Sequence, residues 1–84
     1  MVEVKVLFFG EAWKLVGKRE ENVEFPVETN NEEILRIVLE KYPELQKIEK
    51  NMVLAVDQEY ASPGEKFQLE RFSEIAVIPP LSGG

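Results

Sequence analysis

From Val2 to Phe9 the chain alternates, with Val2, Val4, Val6 and Phe8 on one side and Glu3, Lys5, Leu7 and Phe9 on the other. A period of two is that of a strand with one buried face, and this outer face starts charged and ends apolar. Glu11 to Val16 reads as a short helix with Ala12, Leu15 and Val16 inward. Gly17 is placed to stop it, because a glycine accepts the left-handed conformation common after a helix C-terminus. Glu21 to Val27 alternates again through Val23 and Phe25 up to Pro26, which predicts a second, antiparallel strand.

The period then changes. Ile34, Leu35, Val38, Leu39 and Tyr42 recur at helical spacing, and Thr29-Asn30-Asn31-Glu32 ahead of them matches a capping box with Thr29 as N-cap. Pro43 ends this main helix, since it pushes the residue before it out of the helical region and has no N–H to donate. Glu44 to Lys50 reads as a connecting segment pinned by Leu45 and Ile48, and Met52 to Val56 as an apolar strand covered on one face by the helix. Ser62-Pro63-Gly64 marks a turn, Phe67 and Leu69 a short strand or bridge, and Glu74 to Ile78 a last strand running straight into the chain end. Strands with one long helix and no repeat predict an α+β fold. With the first and last strands side by side, the order fits the ubiquitin-like β-grasp: a mixed sheet, one main helix packed across it, and an extended C-terminal tail. Residues 1–80 are expected to form the domain and 81–84 a flexible tail.

Composition narrows the chemistry. Eighty-four residues allow one core, and 44% hydrophobic residues supply it without covalent staples. The chain has no cysteine and no histidine. It therefore lacks a thiolate nucleophile, a disulfide, and the commonest metal ligands and general base, and no metal site is expected. Ten basic against sixteen acidic residues give a net charge of −6, which disfavours nucleic acid and favours a basic protein surface as partner. Glu20, Glu21, Glu32, Glu33, Glu40 and Glu44 read as a solvated acidic surface, some of which is expected to steer docking onto basic partners. The sequence shows neither a secretory signal pattern nor an apolar run long enough to span a bilayer, so a cytoplasmic protein with no membrane partner is expected.

The candidate chemistry lies at Pro79-Pro80-Leu81-Ser82-Gly83-Gly84. At neutral pH the Gly84 carboxylate is an anion and a poor electrophile until something activates it. Two residues without Cβ can enter a narrow channel and let a catalyst approach the last carbonyl, while Pro79 and Pro80 stiffen the exit. Fully extended, Leu81 to Gly84 reaches roughly 13 Å beyond the prolines, enough for a buried site in a partner. A diglycine terminus arises by chance about once in 200 chains, so it gains weight only from the body that carries it.

That body has a resemblance. Lys5-Val6-Leu7-Phe8-Phe9 leading to Leu15-Val16-Gly17, then Leu54-Ala55-Val56-Asp57-Gln58, and finally Glu74-Ile75-Ala76-Val77-Ile78 with the Pro-Pro-x-x-Gly-Gly ending resemble the MoaD family, the small sulfur-carrying subunits of molybdopterin synthase. The family often has Asn at the position of Asp57, two Phe at Val77-Ile78 and a Gly-Asp turn near Phe72-Ser73; none of these touches the tail.

The resemblance implies a carrier that is not catalytic alone. An ATP-dependent, ubiquitin-activating-like enzyme adenylates Gly84, sulfur replaces AMP, and the thiocarboxylate delivers sulfur to a pyranopterin precursor inside the synthase large subunit, for molybdenum or tungsten. The chain has no phosphate-binding Gly-Lys-Ser/Thr loop, so no cofactor is expected on it and ATP belongs to the partner. The resemblance also places Phe9, Tyr60 and Ile78 in an apolar patch that docks on partners; Leu7 shares the outward side of the first strand with Phe9, and Ala76 shares the parity of Ile78 in the last. The alternative function is a ubiquitin-like modifier joined through Gly84 to lysines. A sulfur carrier for thiamine synthesis is disfavoured by the length and by the Val-Leu-Phe-Phe and Pro-Pro segments, and a β-grasp ferredoxin is excluded by the missing cysteines.

Overall fold

The computed structural model describes residues 1–79. Its elements are β1 (Val2–Phe8), α1 (Gly10–Val16), β2 (Glu20–Phe25), β3 (Glu28–Asn30), α2 (Asn31–Lys41), a 3-10 helix (Pro43–Asn51), β4 (Val53–Val56), β5 (Glu59–Tyr60), β6 (Lys66–Gln68) and β7 (Glu74–Ile78).

Five strands form one sheet in the order β2-β1-β7-β4-β5, with β1 and β7 parallel at its centre and the other neighbours antiparallel. A parallel pair needs a crossover, and the chain between β1 and β7 supplies it by carrying α2 over one face. Val4, Val6 and Phe8 of β1 and Ile75 and Val77 of β7 point into the core shared with Ile34 and Val38 of α2. Each such side chain contributes about 1.5–3 kcal/mol by leaving water. Leu45 of the 3-10 helix is fully buried in the same cluster and Ile48 packs at its border. This is the β-grasp that the strand order predicts, with the first and last strands adjacent.

Two local readings need correction, and one hairpin was not read. The main helix starts one residue later than its capping motif suggests: Asn30 is the N-cap, its side chain accepting from the Glu33 N–H at 2.8 Å. Thr29 does not cap because Asn30 after it is still extended and paired with Lys66 in a small β3–β6 ladder, so the first helical residue is Asn31; the Thr29 hydroxyl instead donates to Glu33 Oε1 at 2.7 Å. The second strand ends at Phe25, before Pro26, and Val27 lies outside it. Tyr60 belongs to β5, the edge strand of a hairpin whose turn residues Asp57 and Gln58 both have positive φ, 50° and 70°. Such turns normally carry Asn-Gly, so Asp57-Gln58 gave no turn signal. Tertiary contacts hold this one: the Asp57 N–H donates to the Glu74 carbonyl at 2.8 Å and Asp57 Oδ1 accepts from the Glu74 N–H at 2.9 Å.

Candidate functional site

Strand alternation sends Leu7 and Ala76 to the face of the sheet opposite α2, and the parallel register sets them side by side. Ala76 is paired with Ala55, and Ala55 with Tyr60, so Leu7, Ala76, Ala55 and Tyr60 form one row across four strands. In the next row towards the chain end, Ile78 is paired with Val53. Phe9 follows β1 in extended conformation, and its N–H donates to the Val77 carbonyl at 3.2 Å.

Away from the chain end the same face is polar: Lys5 is paired with Glu74 and Asn22, and Glu3 with Glu24. The open face therefore divides along the strands, polar where β7 begins and apolar where it ends. Phe9 is 48% exposed and Tyr60 73%. The four predicted patch residues Phe9, Ile78, Leu7 and Tyr60 fall on this apolar end, with Leu7 and Tyr60 at opposite ends of one row. Val53 and Ala55 complete it and were missed; the Met52 to Val56 run showed their shared parity, but only the pairing with β7 shows which face they take.

The exit of the tail is built at the same end. Gly10 has a φ of +49°, and a Cβ on it would lie 3.0 Å from Pro79 Cγ. The ring of Pro79 thus sits against bare backbone at the corner between β1 and α1, a close approach glycine permits. Pro79 is half-buried. The other predicted tail positions, Pro80, Leu81, Ser82, Gly83 and Gly84, lie outside the described residues.

Beneath the patch, Phe8 is stacked edge-on against Tyr42, with ring centroids 4.9 Å apart. The Tyr42 hydroxyl donates to Glu21, which also accepts from Lys18 Nζ at 2.6 Å. Those two donors hold the Glu21 carboxyl below the ordinary glutamate range, Lys18 being the larger cause. Burial, followed by the bond to Glu21, raises the Tyr42 hydroxyl above the ordinary tyrosine value. Glu21 is thus a structural acceptor as well as part of the acidic surface. So is Glu32, whose carboxylate accepts from the Gly64 N–H at 3.0 and 3.1 Å. Trp13 packs at the border of the core and carries the Arg19 guanidinium 4.7 Å above its ring.

Among the described residues no group of His, Cys, Asp or Glu is arranged to hold a metal ion, and no helix is long and apolar enough to cross a membrane. What the arrangement offers is a surface and a terminus. An apolar strip lies at the end of the last strand, next to Pro79.

Comparison with known proteins agrees with this geometry. The family model described as the ThiS family matches residues 6–84. The chain belongs to the ThiS family. It is 77% identical, over all 84 residues and the full length of the relative, to the molybdopterin synthase sulfur carrier subunit of Caenorhabditis briggsae. Among solved structures it is similar to the small archaeal modifier protein 1 of Methanosarcina acetivorans, with a TM-score of 0.75 at 24% identity, covering 100% of this chain and 98% of that one. It is similar also to a chain in the complex of subunits 1 and 2 of the molybdopterin-converting factor of Helicobacter pylori, with a TM-score of 0.67 at 20% identity, covering 98% and 99% of the two chains. At these identities the two structures show the shared β-grasp alone, whereas the nematode relative extends the sequence match through the diglycine.

Proposed function

We propose that the chain is the sulfur-carrier subunit of molybdopterin synthase and that Gly84 is the atom-bearing end. A ubiquitin-activating-like enzyme joins the Gly84 carboxylate to AMP from ATP, releasing pyrophosphate. A sulfide-equivalent donor then attacks the acyl carbon, AMP leaves, and a thiocarboxylate remains. Inside the large subunit the thiocarboxylate sulfur bonds to a carbon of the pyranopterin precursor, displacing an oxygen substituent, and water then cleaves the acyl–sulfur bond, leaving the sulfur on the pterin and returning the terminus to the carboxylate. Each carrier brings one sulfur, so a dithiolene takes two deliveries. The chain's own part is to present the terminus, since it supplies neither a general base of histidine type nor a phosphate-binding loop.

The observation that carries this reading is the continuity of β7: one strand contributes Ala76 and Ile78 to the apolar strip and leads directly to the diglycine. Phe9, Leu7, Tyr60 and Ile78 are the residues on which the large subunit and the activating enzyme dock, a shared strip that makes the two encounters mutually exclusive. The name of the full-length nematode relative supports the same assignment.

The test is the intact mass of the chain after incubation with its adenylating enzyme, ATP and a sulfur donor. A gain matching one oxygen replaced by sulfur is expected, and it should vanish when Gly84 is deleted; no gain sinks the carrier reading. A modifier reading shares the activation step, and the fold likeness to a small archaeal modifier protein accompanies it. Lysine-linked conjugates bearing this chain in the source cell, without thiocarboxylate, would favour the modifier.

A further inference from the structure

Ala55 and Ala76 are direct neighbours on the open face, and their row continues to Leu7 on one side and Tyr60 on the other. Leu7 and Tyr60 stand three strand spacings apart, roughly 14 Å at the backbone, with nothing larger than a methyl group in the row between them. Val53 and Ile78 stand over the alanines towards the chain end, and Lys5 and Glu74 are paired in the row on the other side. The alanines are therefore lower than everything around them. Ala55 is only 5% exposed although it points away from the core and has no place in the core cluster. A methyl buried on an open face beside larger side chains is what the floor of a hollow experiences.

We propose that Ala55 and Ala76 form the floor of a socket that receives one projecting apolar side chain of the synthase large subunit, an inference that rests on the function proposed above. The socket selects an apolar group because its walls on three sides are Leu7, Val53, Ile78 and the ring of Tyr60; a polar group seated there would lose water without gaining a partner in the row. It selects a projection because a flat surface laid across the rim would leave a void, and the floor would lose its dispersion contacts. A second copy is a poor occupant. Its own face has the same hollow, and each copy carries a net charge of −6.

The experiment is calorimetric titration of the parent chain, Ala76→Leu and Glu3→Leu with the purified large subunit, alongside thermal melts of each. Leucine at position 76 fills the socket and should weaken binding at least about tenfold with the fold retained, because an overfilled, closely packed contact forces its neighbours apart. Glu3→Leu puts the same leucine side chain at the polar end of the same face, where it replaces a side chain of similar size, and should leave binding within about twofold. If Ala76→Leu does not fold, Ala76→Val is used against the same criterion, its branched side chain suiting a strand. Binding by the filled variant within tenfold of the parent overturns the socket while leaving the carrier function intact. So does a parent dimer in sedimentation that Ala76→Leu abolishes, since the occupant is then a second copy. Failure of the parent to bind the large subunit overturns the proposed function and the socket with it.

Discussion

Val53 lies directly opposite Ile78 across the β4–β7 ladder, both on the open face of the sheet and at the end from which the tail departs. The pair extends the apolar strip beyond the residues that strand parity alone brings to notice. Val53→Asp should leave the melting behaviour near that of the parent, since the side chain is exposed, and should weaken large-subunit binding by at least about 1 kcal/mol. Equal affinity for parent and variant in a titration would remove Val53 from the docking strip.

Phe9 is an exposed aromatic side chain beside Pro79, 48% open to solvent. Phe9→Ala should lower affinity for the large subunit by about 2 kcal/mol, as a central aromatic anchor does, with less than about 1 kcal/mol lost in urea unfolding. A stability loss of about 3 kcal/mol or more would assign Phe9 to the core instead.

The Asp57-Gln58 turn places a glutamine at a φ of 70°, a conformation that glycine adopts without a Cβ penalty. Gln58→Gly should raise stability by about 0.5 kcal/mol, the relief of the turn exceeding the extra freedom glycine gives the unfolded chain. Gln58→Val should lower it by about 1 kcal/mol or more, because a branched Cβ suits positive φ least. Denaturant midpoints give both signs, and a stabilising valine would contradict the turn geometry.

Asn30 caps α2 through the Glu33 N–H. Asn30→Ala should cost about 1 kcal/mol of unfolding free energy, while Asn31→Ala, one position inside the helix, should cost clearly less. The reverse order would move the cap.

The Glu21–Tyr42 bond makes stability depend on pH at both ends. Glu21 is held below its ordinary value, so its contribution is present above the unfolded glutamate value and is lost as pH falls through the folded one. Tyr42 is raised, so its contribution is present below the unfolded tyrosine value and is lost as pH rises through the folded one. Tyr42→Phe should abolish the alkaline loss contributed by the phenol and reduce the acid loss contributed by Glu21. Chemical denaturation across pH reads both, and an unchanged alkaline limb would show that Tyr42 is not its source.

Legibility followed the range of the interaction. β1 and β7 were readable because Val4, Val6 and Phe8, and Ile75 and Val77, alternate against polar or outward neighbours, and alternation is a property of a single strand. The α2 pattern was equally clear in its spacing, yet its start was misread by one residue. Two polar residues in succession, Thr29 and Asn30, can each cap a helix, and the choice was made by β6, whose Lys66 pairs with Asn30 from thirty-six positions away and keeps it extended, so that the helix begins at Asn31. The β4–β5 hairpin was invisible for a related reason: Gln58 lacks turn chemistry of its own, and the turn is held by the bonds between Asp57 and Glu74.

By itself the sequence determined the main strands and helices, the single apolar core, the absence of histidine and cysteine chemistry, and the candidate reactive end at Gly84, because each depends on residue identity or on near neighbours. Tertiary structure decided which apolar residues share the docking face. Strand register joins Val53 to Ile78 and Ala55 to Ala76 across the sheet, and β7 carries that strip to the corner where Pro79 rests on Gly10. Those relationships arise from hydrogen bonding between strands far apart in the chain, and no local pattern of hydrophobic and polar residues encodes them.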